Sequence, residues 1–278
     1  MARWAFAWRM VQERWHPERS RCPYCGSRFA QFLQRKWLLI QARKCVHCGL
    51  IYRWPTDAPA GTRDFYEQSY EGQQATDIPD ADALSRLTEA GFRNTQYDKR
   101  GRAAFLERVV GNEGRFLDFG CSWGYSLFQY AQLGFAVTGF ELDRQRARYG
   151  QERMGLDLRS DWDAFGQERF DVIFADHSLE HVPNPAEPLT KWRELAAEGA
   201  KLVVFVPNGS GRQARELGVK WGPLLGESHP IAFTIDWFAR NLPRHGWLPR
   251  FYTPEGEPLR ADDYLADQWE IALVATTD

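Results

Sequence analysis

The chain has 278 residues, of which 44% are hydrophobic and 26% are charged, as in ordinary soluble globular proteins. Its formal net charge of −2 does not favour nucleic-acid binding, because domains that bind nucleic acids are usually strongly basic, but it does not exclude it. No window approaches the roughly 18 consecutive apolar residues of a transmembrane helix, and the N-terminus lacks the features of a secretory signal. We therefore expect a cytoplasmic protein with one large domain and a small appendage.

The first 20 residues predict an amphipathic helix, because large apolar residues recur there at helical spacing with arginines among them. These apolar residues are Trp4, Trp8, Val11 and Trp15. We expect the helix, residues 1–20, to dock on its own protein. Two alternatives stay open, since residues 1–15 could instead contact a membrane surface or bind a partner.

Four of the five cysteines form two Cys-x-x-Cys pairs, each followed by a glycine that suits a tight turn. They are Cys22, Cys25, Cys45 and Cys48, with nineteen residues between the pairs. This spacing is typical of a zinc ribbon, here predicted over residues 21–53. Two disulfides are the alternative, and the expected cytoplasmic location argues against them. Because four thiolates close the coordination shell, we predict a structural Zn²⁺ without a catalytic role.

Residues 54–82 are rich in Pro, Gly, Asp and Thr and predict a linker, and the stretch that follows, up to Val110, predicts helix broken near Gly91 and Gly101. From Arg115 onward, short apolar runs alternate with helical stretches. That alternation predicts an α/β domain over residues 83–278, with a mostly parallel sheet. Ligands of such sheets bind at the carboxyl ends of the strands.

The stretch LDFGCSWGYSLF after the first apolar run predicts a tight strand-to-helix turn that a ligand can approach closely. It lacks the residues of a phosphate-binding loop, and it departs from the dinucleotide pattern G-x-G-x-x-G. The next strand ends at Glu141, where a carboxylate can accept hydrogen bonds from both ribose hydroxyls. A ribose-binding acid without a phosphate loop suits S-adenosylmethionine.

From about Tyr97 to Asp278 the chain resembles class I S-adenosylmethionine-dependent methyltransferases, on the stretches LDFGCSWGYSLF, GFELD, SDWD and FADHSLEHVPNP and on the terminal helix and strands. The resemblance implies a Rossmann-like sheet with an antiparallel C-terminal strand. It assigns Asp118, Gly120, Cys121, Ser122 and Gly124 to the loop beside the methionine part of the cofactor. It further assigns Glu141 to the ribose, Leu142, Asp161 and Trp162 to the adenine, and Asp176 to the place where cofactor and acceptor meet. Trp123 is bulkier than expected there and should point away from the cofactor.

The stretch HSLEH matches the H-x-x-E-H pattern of a class of zinc peptidases, but that pattern needs the middle of a helix. A predicted strand precedes it and Pro183 follows it, so we reject this interpretation. In the methyltransferase interpretation His177 is the first candidate for the base that deprotonates a hydroxyl acceptor, and His181 is the second. His229, in the segment before the last helix, is a third candidate.

The sequence therefore predicts a methyltransferase that acts on a small molecule, a sugar or a glycan, with O-methylation favoured. Two alternatives stay open. In the first, the ribbon holds nucleic acid for an RNA methyltransferase, since basic residues surround its cysteines. In the second, the chain is a non-catalytic scaffold that keeps the fold.

Overall fold

The computed structural model describes residues 3–36, 38–56, 77–224, 226, 228–260 and 268–277, with only the backbone described for residues 3–5. Most of the predicted linker, residues 57–76, lies outside the described residues. Within the described part of the chain, no helix is long and apolar enough to cross a membrane.

The N-terminal part of the chain forms a four-stranded sheet with a helix packed on it. Helix α1 spans Arg3–Glu13, and the strands are β1 (Ala30–Lys36), β2 (Ile40–Cys45), β3 (Ile51–Trp54) and β9 (Ile231–Ala232). They lie in the order β1-β2-β3-β9, and each pair is antiparallel. The first three strands come from residues 30–54, within or next to the predicted ribbon. The fourth comes from near the other end of the chain, so the ribbon and the large domain share one sheet.

Helix α1 docks on the ribbon through a different face from the one marked by its tryptophans. Phe6 and Met10 are buried against Ile40 and its neighbours on β2. Trp8 is 65% exposed, Trp15 lies two residues beyond the end of the helix and is 83% exposed, and the side chain of Trp4 lies outside the described part of the chain. The helix carries two apolar stripes, and only contact with the ribbon decides which of them is buried.

The large domain is built on a seven-stranded sheet flanked by helices. Its strands are β4 (Arg115–Phe119), β5 (Ala136–Phe140), β6 (Leu158–Arg159), β7 (Phe170–Asp176), β8 (Ala196–Pro207), β10 (Leu248–Tyr252) and β11 (Glu270–Thr276). Its helices are α2 (Ala81–Glu89), α3 (Arg100–Val109), α4 (Tyr125–Ala131), α5 (Arg144–Met154), α6 (Ala186–Leu195), α7 (Arg212–Leu217) and α8 (Ile235–Asn241). The predicted helical break near Gly91 is present between α2 and α3. The one predicted near Gly101 is wrong, because Gly101 lies in the first turn of α3.

The strand order of the large sheet is β10-β11-β8-β7-β4-β5-β6. The five strands from β8 to β6 are parallel, and β11 and β10 run antiparallel to their neighbours. The predicted α/β fold with its antiparallel C-terminal strand is therefore confirmed. The chain reverses its direction of winding at β4, whose two neighbours are β5 and β7. A crevice opens outside the carboxyl ends of strands at such a point, and this is where ligands bind in open α/β sheets.

Candidate active site

A cavity of about 440 Å³ lies at the carboxyl ends of β4, β5 and β7. The turns after these three strands form its wall, together with residues near Lys99 and His229. Eight of the residues singled out from the sequence line it, namely Gly120, Ser122, Glu141, Leu142, Asp176, His177, His181 and His229. One cavity thus brings together the glycine loop, the acid after β5 and all three candidate histidines.

The loop after β4 takes the tight course that its glycines predict. Gly120 has a φ of +77°, and a Cβ there would lie 2.5 Å from the Cβ of Ser178 on the opposite wall. Ser122 also adopts the left-handed conformation, with a φ of 53°. A non-glycine residue held in this region carries strain, which is a frequent feature of ligand sites. Gly124 caps the N-terminus of α4 with a φ of 87°.

Glu141 is fixed by the backbone at the rim of the cavity. One carboxylate oxygen accepts the Ser122 amide at 2.9 Å, and the other accepts the Asp143 amide at 2.9 Å. Burial raises the pKa of Glu141, and the two amides and nearby Arg146 oppose that shift. Because each carboxylate oxygen has further lone pairs, two hydroxyl donors can still bind it.

Asp118 and Cys121 lie beneath the loop rather than on the cavity wall. Asp118 is 3% exposed and accepts a hydrogen bond from the Ser126 hydroxyl at 2.6 Å. Burial raises the pKa of Asp118 to about 7. The Cys121 sulfur packs against Gly139, where a Cβ would lie only 2.5 Å from it. Cys121 is therefore a packing residue of the loop.

Trp123 points away from the cavity, as the resemblance requires. It is fully buried with Phe92, Tyr97 and Tyr125, in a separate cluster beneath α2. Its bulk therefore leaves the cofactor side of the loop clear.

Besides Leu142, the sequence assigned Asp161 and Trp162 to the adenine, and neither of these two residues lines this cavity. The Asp161 side chain is 52% exposed and pairs with Arg144 at 3.3 Å, so it is directed to solvent. Trp162 stacks on Phe140 with ring centroids 4.0 Å apart. Its indole lines a second cavity of about 480 Å³ between the ribbon and the large domain. The two cavities share Leu142 and Phe140 on their walls, so Trp162 lies next to the expected adenine position without facing it directly.

A network of paired charged side chains borders the cavity. The sequence did not predict this network. Lys99 pairs with Asp176 at 2.7 Å, and Arg102 joins Asp176 at 3.0 Å to Glu270 at 2.7 Å. Although burial alone would raise the pKa of Asp176, Lys99 and Arg102 hold it below its usual range. Lys99 itself lines the cavity beside Tyr125. The charged triplet DKR at 98–100 was the sequence signal for this network. Nothing in the sequence, however, pairs Lys99 with Asp176, which lies 77 positions away.

His177 belongs to this network of charged side chains, and its contacts there make it unsuited to act as the base. Its two ring nitrogens lie 3.2 Å from Glu180 and 3.0 Å from Glu270, and its ring stacks on Trp269. Burial alone would lower the pKa of His177, but the two carboxylates raise it to about 10. The imidazole is therefore protonated at neutral pH and has no lone pair for an acceptor proton. This arrangement favours His181 and His229 over His177 as the base, and the choice among them stays a prediction.

His181 and His229 form a pair at the opposite wall, with ring centroids 4.4 Å apart. The His181 Nδ1 lies 2.7 Å from the Ser228 carbonyl oxygen, which can only accept, so Nδ1 carries the proton. Nε2 of His181 is then the nitrogen that can accept a proton. Burial, together with His181, lowers the pKa of His229 to about 4, which keeps that imidazole neutral. The His229 ring therefore offers a lone pair at neutral pH.

The carboxylate of Glu180 lies close to both of these histidines. Ligand atoms of Glu180, His181 and His229 lie within 4.8 Å of one another. A carboxylate with two imidazoles is a donor set that can accept a proton or bind a divalent cation. Leu179–His181 is only a single 3₁₀ turn, which agrees with the rejection of a peptidase helix.

The sequence model of a methyltransferase domain family matches residues 82–250, which is more than half of the chain. The chain belongs to this family. The family assignment confirms the resemblance noted from the sequence, and the matched residues contain the glycine loop, Glu141 and the three histidines.

Two curated relatives of this methyltransferase domain are ubiquinone biosynthesis O-methyltransferases. The one from Cereibacter sphaeroides (strain ATCC 17025 / ATH 2.4.3) is 32% identical over 153 residues, covering 51% of this chain and 55% of the relative. The one from Caulobacter sp. (strain K31) is 30% identical over 136 residues, covering 45% and 51%. The chain thus spans about half the length of the curated relatives it matches.

Solved structures confirm the fold of the domain. The CcbJ methyltransferase from Streptomyces caelestis aligns with a TM-score of 0.51 at 16% identity, covering 66% of this chain and 96% of that one. An S-adenosylmethionine-dependent methyltransferase from Clostridium acetobutylicum ATCC 824 aligns with a TM-score of 0.50 at 11% identity, covering 70% and 98%. At these identities the likeness concerns the fold alone.

The four predicted zinc ligands of the methyltransferase converge outside this site. The sulfurs of Cys22 and Cys48 lie 3.5 Å apart, as do those of Cys25 and Cys45, and all four lie within 4.8 Å. A tetrahedral ion with Zn–S bonds of about 2.3 Å separates its sulfurs by about 3.8 Å, whereas a disulfide needs about 2.05 Å. The cluster therefore fits one closed, structural zinc ion.

Proposed function

We propose that the chain transfers the methyl group of S-adenosylmethionine to a hydroxyl oxygen of a small molecule. One observation carries this proposal: a single cavity joins the glycine loop and Glu141 to the pair His181 and His229. A cofactor bound along the loop would present its methyl group to the histidines. The cytoplasmic location expected from the sequence stays a prediction.

In this proposal the cofactor end of the cavity binds each part of S-adenosylmethionine with a matching group. Glu141 accepts the ribose hydroxyls, and Leu142 packs on the adenine. Lys99 binds the methionine carboxylate, and the ammonium group lies toward Asp176. Gly120 lines the cavity without a side chain, so its backbone can approach the cofactor closely. The cofactor supplies a methyl group on a positively charged sulfur that an oxygen can attack in line.

The acceptor end must remove a proton from the attacking hydroxyl. His181 offers Nε2 for this task, because the Ser228 carbonyl holds the proton on Nδ1. His229 is neutral and stands beside it, so it either orients the hydroxyl or accepts the proton itself. If a divalent cation occupies the cluster with Glu180, it lowers the pKa of the hydroxyl in place of a base. Adding Mg²⁺ or Mn²⁺ to the assay separates these two routes.

The acceptor class is supported by the curated relatives, which are named as O-methyltransferases. Sugars, glycan ends and phenolic natural products all present a hydroxyl that the histidine pair could deprotonate. The size of the cavity, about 440 Å³, is within the range of small-molecule sites, which run from about 300 to 1,000 Å³.

The test is methyl transfer from labelled S-adenosylmethionine to a panel of phenols, sugars and glycans, with RNA as a separate arm and mass spectrometry of the products. We expect a labelled small-molecule ether. Label in RNA, with binding that weakens steeply as salt rises, would replace the proposal with the RNA alternative. If calorimetry detects no binding of S-adenosylmethionine, the chain is a scaffold without this activity.

A further inference from the structure

We infer that the zinc ribbon positions the acceptor-side histidine: strand β3 and Arg53 hold the segment that carries His229, so the metal at the four cysteines sets where that imidazole lies. This inference rests on the proposed function for the role of His229. The contacts between the ribbon and the segment are independent of it. We call residues 228–232 the His229 segment.

The ribbon holds one side of the His229 segment by its backbone. Strand β3 pairs with β9 within the segment, with Ile51 opposite Ala232 and Tyr52 opposite Ile231. The Arg53 amide extends this pairing by donating to the Pro230 carbonyl at 2.8 Å. Pro230 directly follows His229 in the chain, so the ribbon contact lies one residue from the imidazole.

Arg53 adds a side-chain contact just outside the His229 segment, at Gly226, three residues before His229. Its side chain is fully buried, and its guanidinium donates to the Gly226 carbonyl at 2.5 Å. The same guanidinium lies 5.0 Å from the ring of Phe6, so α1 covers it. A buried arginine that bonds to a loop carbonyl is expensive to desolvate, and it is retained where it fixes geometry.

The active site holds the other side of the segment. The Ser228 carbonyl accepts a hydrogen bond from His181, and the His229 ring lies against the His181 ring. The segment is therefore clamped between the ribbon and the turn that ends β7. Displacing either side would change the distance between the two imidazoles.

The metal cluster controls the position of β3. Strand β3 starts three residues after Cys48, and the Leu50 carbonyl accepts the Cys45 amide at 2.8 Å in the turn that forms half of the cluster. Asn241 of α8, which is fully buried, donates to the Cys48 carbonyl at 3.0 Å. Because small zinc domains depend on the ion for their folding free energy, loss of zinc should release β3 and then the His229 segment.

The first test is hydrogen–deuterium exchange on the full chain, with zinc removed by a chelator and then restored. We expect the amides of the His229 segment to exchange at least about tenfold faster without zinc, while those of the glycine loop stay unchanged. Adding Zn²⁺ back should restore protection. If the His229 segment keeps its protection when zinc leaves, the inference is wrong, whether or not the protein proves to be a methyltransferase.

The second test is the variant Arg53→Met, with Arg53→Lys as the conservative variant and Arg35→Met as the matched control. Arg35 is an exposed ribbon arginine on β1 whose side chain lies over Phe32. We expect Arg53→Met to lower kcat about tenfold or more, since a misplacement of about 1 Å can cost about 100-fold. Affinity for S-adenosylhomocysteine should change less than about twofold, and Arg53→Lys should recover part of kcat.

Two results would contradict this. One is a folded Arg53→Met protein with normal kcat, and the other is an equal loss of cofactor affinity. If Arg53→Met does not fold, as judged by circular dichroism, the exchange experiment on the unmodified chain decides alone. If the unmodified chain methylates no hydroxyl, the proposed function fails and the exchange result still stands.

Discussion

The two ends of the cavity are built in different ways. The proposed cofactor end comes mainly from one continuous stretch, residues 118–143, in which two adjacent parallel strands and their turns place Gly120 and Glu141 side by side, and Lys99 and Asp176 border it. The acceptor end is assembled from β7, the His229 segment and the start of β11, and it is held in place by the ribbon. Its histidines lie 48 residues apart in sequence and touch in space.

In the proposed function, the cofactor end binds S-adenosylmethionine and the acceptor end deprotonates the hydroxyl. Groups at the cofactor end are mainly backbone amides and charged side chains, which bind a ligand and take no part in deprotonating the acceptor. Groups at the acceptor end are imidazoles whose protonation is set by their neighbours, so that similar residues perform different tasks. His177 is charged because two carboxylates flank it, and His229 is neutral because it is buried beside another histidine. Variants at the two ends should therefore change different kinetic constants.

The largest effect should come from His229→Ala at the acceptor end. Removing a group that takes or orients the acceptor proton should lower kcat by about 1,000-fold. Affinity for S-adenosylhomocysteine should stay within about twofold, because no cofactor contact is lost. His16→Ala, at an exposed histidine outside the site, is the control and should be neutral. Steady-state kinetics with calorimetry would check this, and a loss of cofactor binding in His229→Ala would erase the distinction between the two ends.

Glu141→Ala, at the cofactor end, should instead lower the affinity for the cofactor. Two hydroxyl donors to a charged acceptor contribute about 1.5–3 kcal/mol each, so the affinity for S-adenosylhomocysteine should fall at least about 100-fold. Asp161→Asn is the informative control, since the sequence assigned it to adenine and the structure directs it to solvent. We expect a change of less than about twofold for Asp161→Asn. Comparable losses in both variants would show that Asp161 turns inward when the cofactor binds.

The difference between the two ends of the cavity also explains which features could be predicted from the sequence. The fold, the glycine loop and the position of Glu141 follow from local patterns, and the cysteine spacing predicted the cluster. The protonation of His177 depends on Glu270, which lies 93 residues away, so its sequence neighbours could not reveal it. The exposure of Asp161 could not be predicted for a similar reason, because its pairing with Arg144 depends on the packing of α5. The buried face of α1 likewise depends on the ribbon.

A smaller effect is expected in the pH dependence of cofactor binding. Burial raises the pKa of Asp118 in the free protein to about 7. A positively charged cofactor nearby favours the ionised carboxylate and lowers that pKa, so binding below pH 7 must release a proton. Affinity for S-adenosylmethionine should therefore rise about fivefold from pH 6 to pH 7, by about twofold more up to pH 8, and then level off. Calorimetry in buffers of different ionisation enthalpy measures the released proton, and Asp118→Asn should abolish both the proton release and the slope.

The smallest effect should come from Ser122→Gly, which tests whether the cofactor end needs side chains in its loop at all. Glycine relieves the left-handed conformation of Ser122, a gain of about 1 kcal/mol. The substitution also removes the hydroxyl that accepts a hydrogen bond from Arg146 at 3.2 Å, a loss of about 1 kcal/mol. The two terms nearly cancel, so the melting temperature should shift by only a few degrees and the cofactor affinity by less than about threefold. A tenfold or larger loss of affinity would mean that the Ser122 hydroxyl binds the cofactor directly. The cofactor end would then depend, like the acceptor end, on a side chain held in place by a neighbour.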